Sequence, residues 1–525
     1  MKTVFTILLL LPTFIQLRAQ VEQPQRFEII QKYLDEEFTV ISLEREGLAL
    51  FRGTNQYKDR MRSWQVMLLD TTLNIKVDTL VNIEREYNII GFEYTTGILS
   101  LLFQSGEFIK DKIALCDIEL KDSNINIYNI KTEVELKLSF FSRLQQSILF
   151  AGYINNEPAI VMYDLVKGKA QMVPGFLQRN TELLDMRVNL NATFNVVMVE
   201  KMSGENKRII FRTYDAHATL LLEDIIESEA SYTIFNAISS NLYRDDLLLI
   251  GTWGTRSSDR ALGFYTTLVN PFEEQKTKLV QFGSLQHYLD YLKPRRADKI
   301  KTKTKAAILE GKLFEYTNNS LPYKIVEHQN GFIVLAETYA TGTNNSDFYN
   351  NRNYTQPWNS PYYYYNPYYP RFGSSRPYQS LSYGQNVAQE DIEIKTYSSS
   401  LLFINAKGII ENDFSAKLED FKISGIKQIS DVAYFNDSAI VVYRKKHDIL
   451  FHKVDLLDSK SKNGNVKIKL NDDFDDLRTD DDQDAGIKCW YNNVFYTWGY
   501  HSIKNTNIKG NKTREVFYIN KVVVH

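Results

Sequence analysis

The chain has 525 residues, of which 43% are hydrophobic and 24% are charged, with a formal net charge of −2. This near-neutral charge argues against nucleic acid as a general partner, because nucleic-acid binding needs a basic surface. Tyrosine (33) and phenylalanine (30) are abundant, which favours an all-β protein with a large core. Only two cysteines occur, which excludes a disulfide scaffold.

Residues 1–19 predict a secretory signal peptide. Lys2 supplies a positive start, residues 4–11 form an apolar run, and Ala19 provides a small residue at the cleavage site. Removing this segment takes away Lys2 and Arg18 and changes the formal charge from −2 to −4. No later run approaches about eighteen apolar residues, so the sequence predicts no transmembrane segment in the mature chain. We expect an exported protein that is periplasmic, associated with the cell surface, or extracellular.

Short apolar runs recur eight times along the rest of the chain, mostly about fifty residues apart. They occupy residues 48–51, 98–103, 148–150, 194–197, 247–250, 332–335, 439–442 and 494–498. Further strand-like segments flank each run, separated by turn residues. Strand-only units of this size are typical of propeller blades. We therefore predict that residues 20–525 form one all-β domain, an eight-bladed β-propeller, with seven blades as the fallback.

On these repeats the chain resembles the β-propeller superfamily over residues 27–525. The sequence contains no Trp-Asp repeat ending, no paired kelch glycines and no Asp-box, so the resemblance implies a fold and no particular branch of the superfamily. The overall pattern of the chain is also similar to that of secreted propeller proteins of Gram-negative bacteria, which implies that it is located in the cell envelope or outside the cell. This last step is analogy between folds.

The last repeat ends after its third strand, because the chain stops at His525. An apolar stretch at residues 27–30 precedes the first repeat and has no partner within it. We predict that this N-terminal strand completes the last blade and closes the ring, which removes exposed sheet edges.

The first interruption of the repeat is residues 283–319, between the fifth and sixth units. Leu285 and Leu289 follow helical spacing, and a basic run that includes Arg295 and Arg296 comes after Pro294. The pattern predicts two short helices with a basic face. That face is either solvated surface or a contact for an acidic partner or anionic polymer.

The second interruption, residues 341–389, is rich in tyrosine and proline. Its aromatic residues include Trp358, Tyr362, Tyr363, Tyr364, Tyr365, Tyr368 and Tyr369. Aliphatic residues are almost absent, so we expect a flexible loop without a core of its own. Its tyrosines either rest on the propeller surface or form a recognition loop for a protein or a carbohydrate.

The third interruption is an acidic run at residues 471–484, which predicts a solvated linker. Asp480, Asp482 and Asp484 alternate within it and weakly resemble a calcium loop, with a glycine one place late. No other cofactor is indicated, and no histidine motif supports zinc. Because strands in a blade alternate in direction, all three interruptions should lie on one face of the ring.

No catalytic motif occurs in the sequence, neither a Gly-x-Ser-x-Gly elbow nor a phosphate loop. The sequence therefore favours a non-catalytic scaffold that binds a protein or glycan partner of the cell envelope through its insert-bearing face. One alternative is a hydrolase or lyase acting on carbohydrate or peptide with inner-strand carboxylates, for which Glu93, Asp185 and Asp431 are the first candidates. The other is a structural subunit of an envelope complex.

Overall fold

The computed structural model describes residues 21–525 except 33, 96, 203–206, 228–230, 242–246, 257–259, 271–274, 329–330, 342–392, 425–427, 458–459 and 508–512. The predicted signal peptide lies outside these residues. The described residues form eight antiparallel sheets, arranged as the blades of a β-propeller. The prediction of eight blades is confirmed.

Each blade has strands a to d from the centre outward. Blade 1 contains β3 (Thr39–Ser42), β4 (Leu48–Lys58), β5 (Met61–Leu69) and β6 (Ile75–Glu84). Blade 2 contains β7 (Asn88–Thr95), β8 (Ile98–Ser105), β9 (Lys112–Glu119) and β10 (Ile125–Ile130). Blade 3 contains β11 (Lys137–Leu144), β12 (Ser147–Ile154), β13 (Glu157–Asp164) and β14 (Lys169–Met172). Blade 4 contains β15 (Thr181–Val188), β16 (Phe194–Lys201), β17 (Lys207–Tyr214) and β18 (Leu220–Glu227).

The second half of the ring has strands of more uneven length. Blade 5 contains β19 (Tyr232–Ile234) with β20 (Ile238–Ser239), then β21 (Leu247–Thr255), β22 (Gly263–Val269) and β23 (Lys278–Gln281). Blade 6 contains β24 (Asn319–His328), β25 (Gly331–Thr341), β26 (Glu393–Asn405) and β27 (Ile410–Ser424). Blade 7 contains β28 (Ser430–Phe435), β29 (Ser438–Lys445), β30 (Asp448–Asp455) and β31 (Ser461–Lys467). Blade 8 contains β32 (Asp475–Tyr491), β33 (Val494–Asn505) and β34 (Thr513–Val524).

Two N-terminal strands complete blade 8. They are β1 (Val21–Glu22) and β2 (Arg26–Ile30), and both pair with β34. Phe27 lies opposite Ile519 and is 7% exposed, packed between blades 8 and 1. The predicted closure of the ring by an N-terminal strand is confirmed.

The core of the protein is divided among the blade interfaces. Apolar clusters lie between each blade and the next around the ring, such as the one that joins Phe51 and Trp64 of blade 1 to Phe103 of blade 2. The b strands carry much of this core, because they are covered on both faces; Leu48 and Leu50 are fully buried. This double burial explains why the b strands read as continuous apolar runs in the sequence.

The insert between blades 5 and 6 differs from its prediction. It has one α-helix, α1 (Pro294–Leu309), where two were expected. The stretch around Leu285 and Leu289 forms turns instead, and both side chains are buried between blades 5 and 6. The Asp413 carboxylate accepts hydrogen bonds from the backbone N–H groups of Gln286 and His287 at 2.6 and 2.7 Å, which favours a turn over a helix here.

The acidic run also differs from its prediction. Residues from Asp475 onward belong to β32 and pair with β33, so a solvated linker is wrong for this part. The side chains of Asp475 and Asp480 are 0% and 3% exposed. Arg514 pairs with Asp475 at 2.6 Å, and Arg444 pairs with Asp480 at 2.6 Å. Basic partners from distant strands therefore let this acidic sequence form the start of an inner strand.

Candidate functional site

The inner strands carry the carboxylates that were the first candidates for catalysis. Each a strand is the inner edge of its sheet. The N–H groups that point away from the sheet therefore need hydrogen-bond partners from elsewhere. Glu93 of blade 2 accepts hydrogen bonds from the Ser142 hydroxyl, at 2.7 Å, and from the backbone N–H of Arg143 in blade 3. Asp185 of blade 4 accepts in the same way from the backbone N–H and hydroxyl of Ser239 in blade 5.

A similar arrangement recurs further round the ring. Glu337, which lies on the b strand β25 of blade 6, accepts hydrogen bonds from the backbone N–H of Ile429 and from the N–H and hydroxyl of Ser430 in blade 7. Asp431 of blade 7 accepts from the backbone N–H of Cys489 in blade 8 at 2.9 Å. These side chains act as clasps between neighbouring blades. Their hydrogen-bonding capacity is used by the fold, which supports a structural role over catalysis.

The pKa values of these buried carboxyl groups are shifted in different directions, according to the charges beside them. It raises the pKa of Glu93 and of Glu337 to about 7, against hydrogen bonds that lower it. Burial would also raise the pKa of Asp431, but the nearby ammonium groups of Lys324 and Lys488 hold it below its ordinary value. Asp431 therefore stays ionised, and its salt bridge to Lys324 spans 2.8 Å. The sequence did not single out either lysine, because each lies alone within its own repeat.

Helix α1 presents the basic surface that the sequence predicted. Ala297, Ile300 and Thr304 form its buried face against blades 5 and 6. The exposed basic side chains of the helix are Arg295, Arg296, Lys299, Lys303 and Lys305. Lys301 is partly buried and donates to the Gln286 carbonyl at 2.5 Å. The helix is thus fixed on one side and strongly cationic on the other.

The charges on α1 oppose the helix dipole. Arg295 and Arg296 lie in its first turn, which holds no acidic residue. Cations at a helix N-terminus are unfavourable by about 0.3–1 kcal/mol each. These positions therefore do not serve the stability of the helix.

The helical insert meets the strand that follows the tyrosine-rich segment. The Tyr291 ring stacks on Tyr397 of β26 with centroids 5.8 Å apart, and its hydroxyl lies 2.7 Å from that of Tyr316. Residues 342–392 join β25 to β26, whereas α1 lies between β23 and β24. Since neighbouring strands are antiparallel, both connections leave blade 6 on the same face. We call this the insert-bearing face.

The remaining predicted site residues divide into two groups. Trp358 and the six predicted tyrosines from Tyr362 to Tyr369 lie outside the described residues, so their role remains a prediction. Asp480, Asp482 and Asp484 lie on β32, where a calcium loop would need a loop, and only the Asp480 side chain is described. Asp480 contacts two histidines, His447 and His501, that no linear spacing connects. They were missed because one belongs to blade 7 and the other to blade 8.

Within the described residues, the structure contains no helix that is both long and apolar enough to cross a membrane.

Comparisons with known proteins agree with the fold and add no family. No protein-family model matches the chain, and no curated protein matches it. The β-propeller domain of the Trilobed protease from Pyrococcus furiosus is similar at 9% identity and a TM-score of 0.34, covering 81% of this chain and 97% of that one. The polysaccharide lyase Uly1 is similar at 8% identity and a TM-score of 0.40, covering 94% of this chain and 100% of that one. The WD40 domain of SCAP from fission yeast is similar at 8% identity and a TM-score of 0.40, covering 95% of this chain and 97% of that one. These likenesses concern the fold alone.

Proposed function

We propose that this protein is an exported, non-catalytic propeller that binds an acidic macromolecule of the cell envelope, a protein or a glycan, through its insert-bearing face. The observation that carries the proposal is the cationic side of α1. Five exposed basic residues stand on a helix whose opposite side is locked into the core. A rigid, basic surface attracts polyanions and loses little entropy when it binds them.

The carboxylates of the inner strands support the non-catalytic part of the proposal. A propeller hydrolase or lyase needs carboxylates that are free to reach substrate. Glu93, Asp185 and Asp431 instead accept hydrogen bonds from the next blade. The polar groups at the centre therefore hold the ring together, and the exposed basic side of α1 lies on the insert-bearing face.

The test is charge reversal on α1 with a matched control. We expect the variant Arg295→Glu, Arg296→Glu, Lys299→Glu to elute from immobilised polyglutamate and from immobilised alginate at clearly lower salt than the unchanged protein, because fewer anionic groups are neutralised. The control carries Lys121→Glu, Lys167→Glu and Lys407→Glu, three exposed lysines in c–d turns on the opposite face. It has the same net charge and should elute with the unchanged protein.

The column that retains the unchanged protein to the higher salt concentration indicates which partner class, an acidic protein or an acidic glycan, binds better. Equal weakening in both variants would show an effect of net charge and contradict a binding face. The tyrosine-rich segment is tested separately by deleting residues 342–388. If the segment contributes to recognition, the shortened protein folds but captures fewer envelope partners in a crosslinked pull-down; unchanged capture would show that α1 acts without it.

A further inference from the structure

A second polar cluster lies on the insert-bearing face, between blades 7 and 8. His447 belongs to the turn between β29 and β30, Asp480 to the first half of β32, and His501 to the second half of β33. Asp480 and His501 are direct partners across the β32–β33 pair. One turn and two strands therefore bring two imidazoles and one carboxylate to a single point.

The polar atoms of this cluster lie close to one another, and the His447–Asp480 contact is an ion pair when the imidazole is protonated. His447 Nδ1 lies 2.6 Å from Asp480 Oδ2, and His501 Nε2 lies 3.4 Å from Asp480 Oδ1. The three candidate ligand atoms all lie within 4.8 Å of each other. Among the described residues, His447 Nδ1, Asp480 Oδ2 and His501 Nε2 have no hydrogen-bond partner of acceptable geometry. The Asp480 and His501 side chains are 3% and 0% exposed.

Unsatisfied buried polar atoms are expensive, at about 1–3 kcal/mol each. Three that converge need a common partner, and a metal cation supplies one. We propose that His447, Asp480 and His501 bind a divalent transition-metal ion of the zinc class. Two imidazole nitrogens and one carboxylate oxygen suit zinc and its neighbours, whereas calcium prefers oxygen ligands alone.

The groups around the cluster fit this assignment. Arg444 donates to Asp480 Oδ1 at 2.6 Å and is itself held by the carbonyls of Lys446 and Trp498, so it fixes the carboxylate with Oδ2 toward His447. The His447 side chain is 44% exposed and gives the ion access from solvent.

Arg26 limits the affinity of the site. Its guanidinium lies 3.3 Å from His501 Nδ1, which carries the proton when Nε2 binds a metal, so two hydrogen-bond donors then face each other. Glu28 pairs with Arg26 at 2.6 Å and offsets part of that charge. We therefore expect reversible binding that is weaker than in a closed structural zinc site.

The experiment titrates the full mature chain with Co²⁺ and follows its visible absorption, with Zn²⁺ and Ca²⁺ as competitors. We expect one equivalent of Co²⁺ to bind, Zn²⁺ to displace it, and Ca²⁺ to leave it in place. His447→Ala should weaken binding at least about tenfold. His217→Ala is the matched control, because His217 is an exposed turn histidine in blade 4, and it should bind as the unchanged chain does.

His447 is a turn residue and half exposed, so its variant should fold, which circular dichroism checks. Equal Co²⁺ binding by His447→Ala and the unchanged chain would overturn the proposal. So would displacement by Ca²⁺, which would indicate an oxygen site elsewhere, or the absence of bound Co²⁺.

Discussion

The inner strands and the insert-bearing face use charged residues in opposite ways. At the centre, Asp185 and Asp431 are buried and make hydrogen bonds or salt bridges across blade boundaries. On the face, Arg295 and Arg296 stand in solvent at the unfavourable end of a helix. The difference indicates that the central charges serve the stability of the ring, and under the proposed function the exposed charges of α1 serve contact with a partner. Substitutions should therefore act on folding in one region and on binding in the other.

The largest expected effect is the loss of the Asp431 carboxylate. Asp431→Ala leaves Lys324 and Lys488 close together without their shared anion and removes the acceptor of the Cys489 N–H. We expect a loss of about 3–5 kcal/mol in the free energy of unfolding, measured by urea denaturation. Asp473→Ala is the control, because Asp473 is exposed between blades 7 and 8, and it should change stability by less than about 0.5 kcal/mol. A loss below about 1 kcal/mol for Asp431→Ala would contradict a stabilising role for this carboxylate.

The next effect is a pH dependence set by Glu93 and Glu337. Both have a pKa of about 7 in the folded protein, above the ordinary 4.5 of the unfolded chain. Their contribution to stability is therefore complete below about pH 4.5 and is lost as the pH rises through about 7. Each group contributes at most about 3 kcal/mol to the free energy of unfolding.

Urea midpoints at about pH 5 and pH 8 measure this dependence. The unchanged protein should lose stability over this interval, and the double variant Glu93→Gln, Glu337→Gln should lose less. Glu227→Gln, on an exposed strand of blade 4, should behave like the unchanged protein. An identical fall in the double variant would show that the two clasps do not titrate in this range.

The smallest effect has the opposite sign. Arg295→Glu replaces a cation in the first turn of α1 with an anion and adds a favourable pair with Lys299, one helical turn later. We expect the free energy of unfolding to rise by about 0.3–1 kcal/mol, with Arg295→Gln between the two. Stability that falls along this series would mean that the arginine serves the fold, and the contrast between the two regions would fail.

Much of the architecture could be predicted because each blade repeats the same pattern of buried and exposed strands. Doubly buried b strands give apolar runs, and the missing last strand of blade 8 pointed directly to Phe27 and its neighbours. The second predicted helix failed because Asp413, more than a hundred residues away, captures the N–H groups around Gln286. Local spacing cannot reveal such a long-range competitor.

The candidate sites were predicted only where they are contiguous in sequence. Arg295 and Arg296 belong to one basic run, so the sequence showed them. The cluster of His447, Asp480 and His501 depends on the register of blade 8 and on its contact with blade 7. That register depends on β32. The acidic composition of residues 471–484 predicted a linker there, so the first part of this strand was not expected.

The closure of the ring also orders the folding of the chain. Arg26 hydrogen-bonds to Asn520 across a separation of 494 residues, whereas most strand pairs join neighbours in the sequence. Bringing such distant ends together costs about 5 kcal/mol of loop entropy in an otherwise unstructured chain. Earlier blades that are already folded shorten this search, so blade 8 should form last. Until it does, β34 has a bare edge, and the β2 strand of a second molecule would fit that edge as well as its own, which makes strand exchange the characteristic misassembly of this ring.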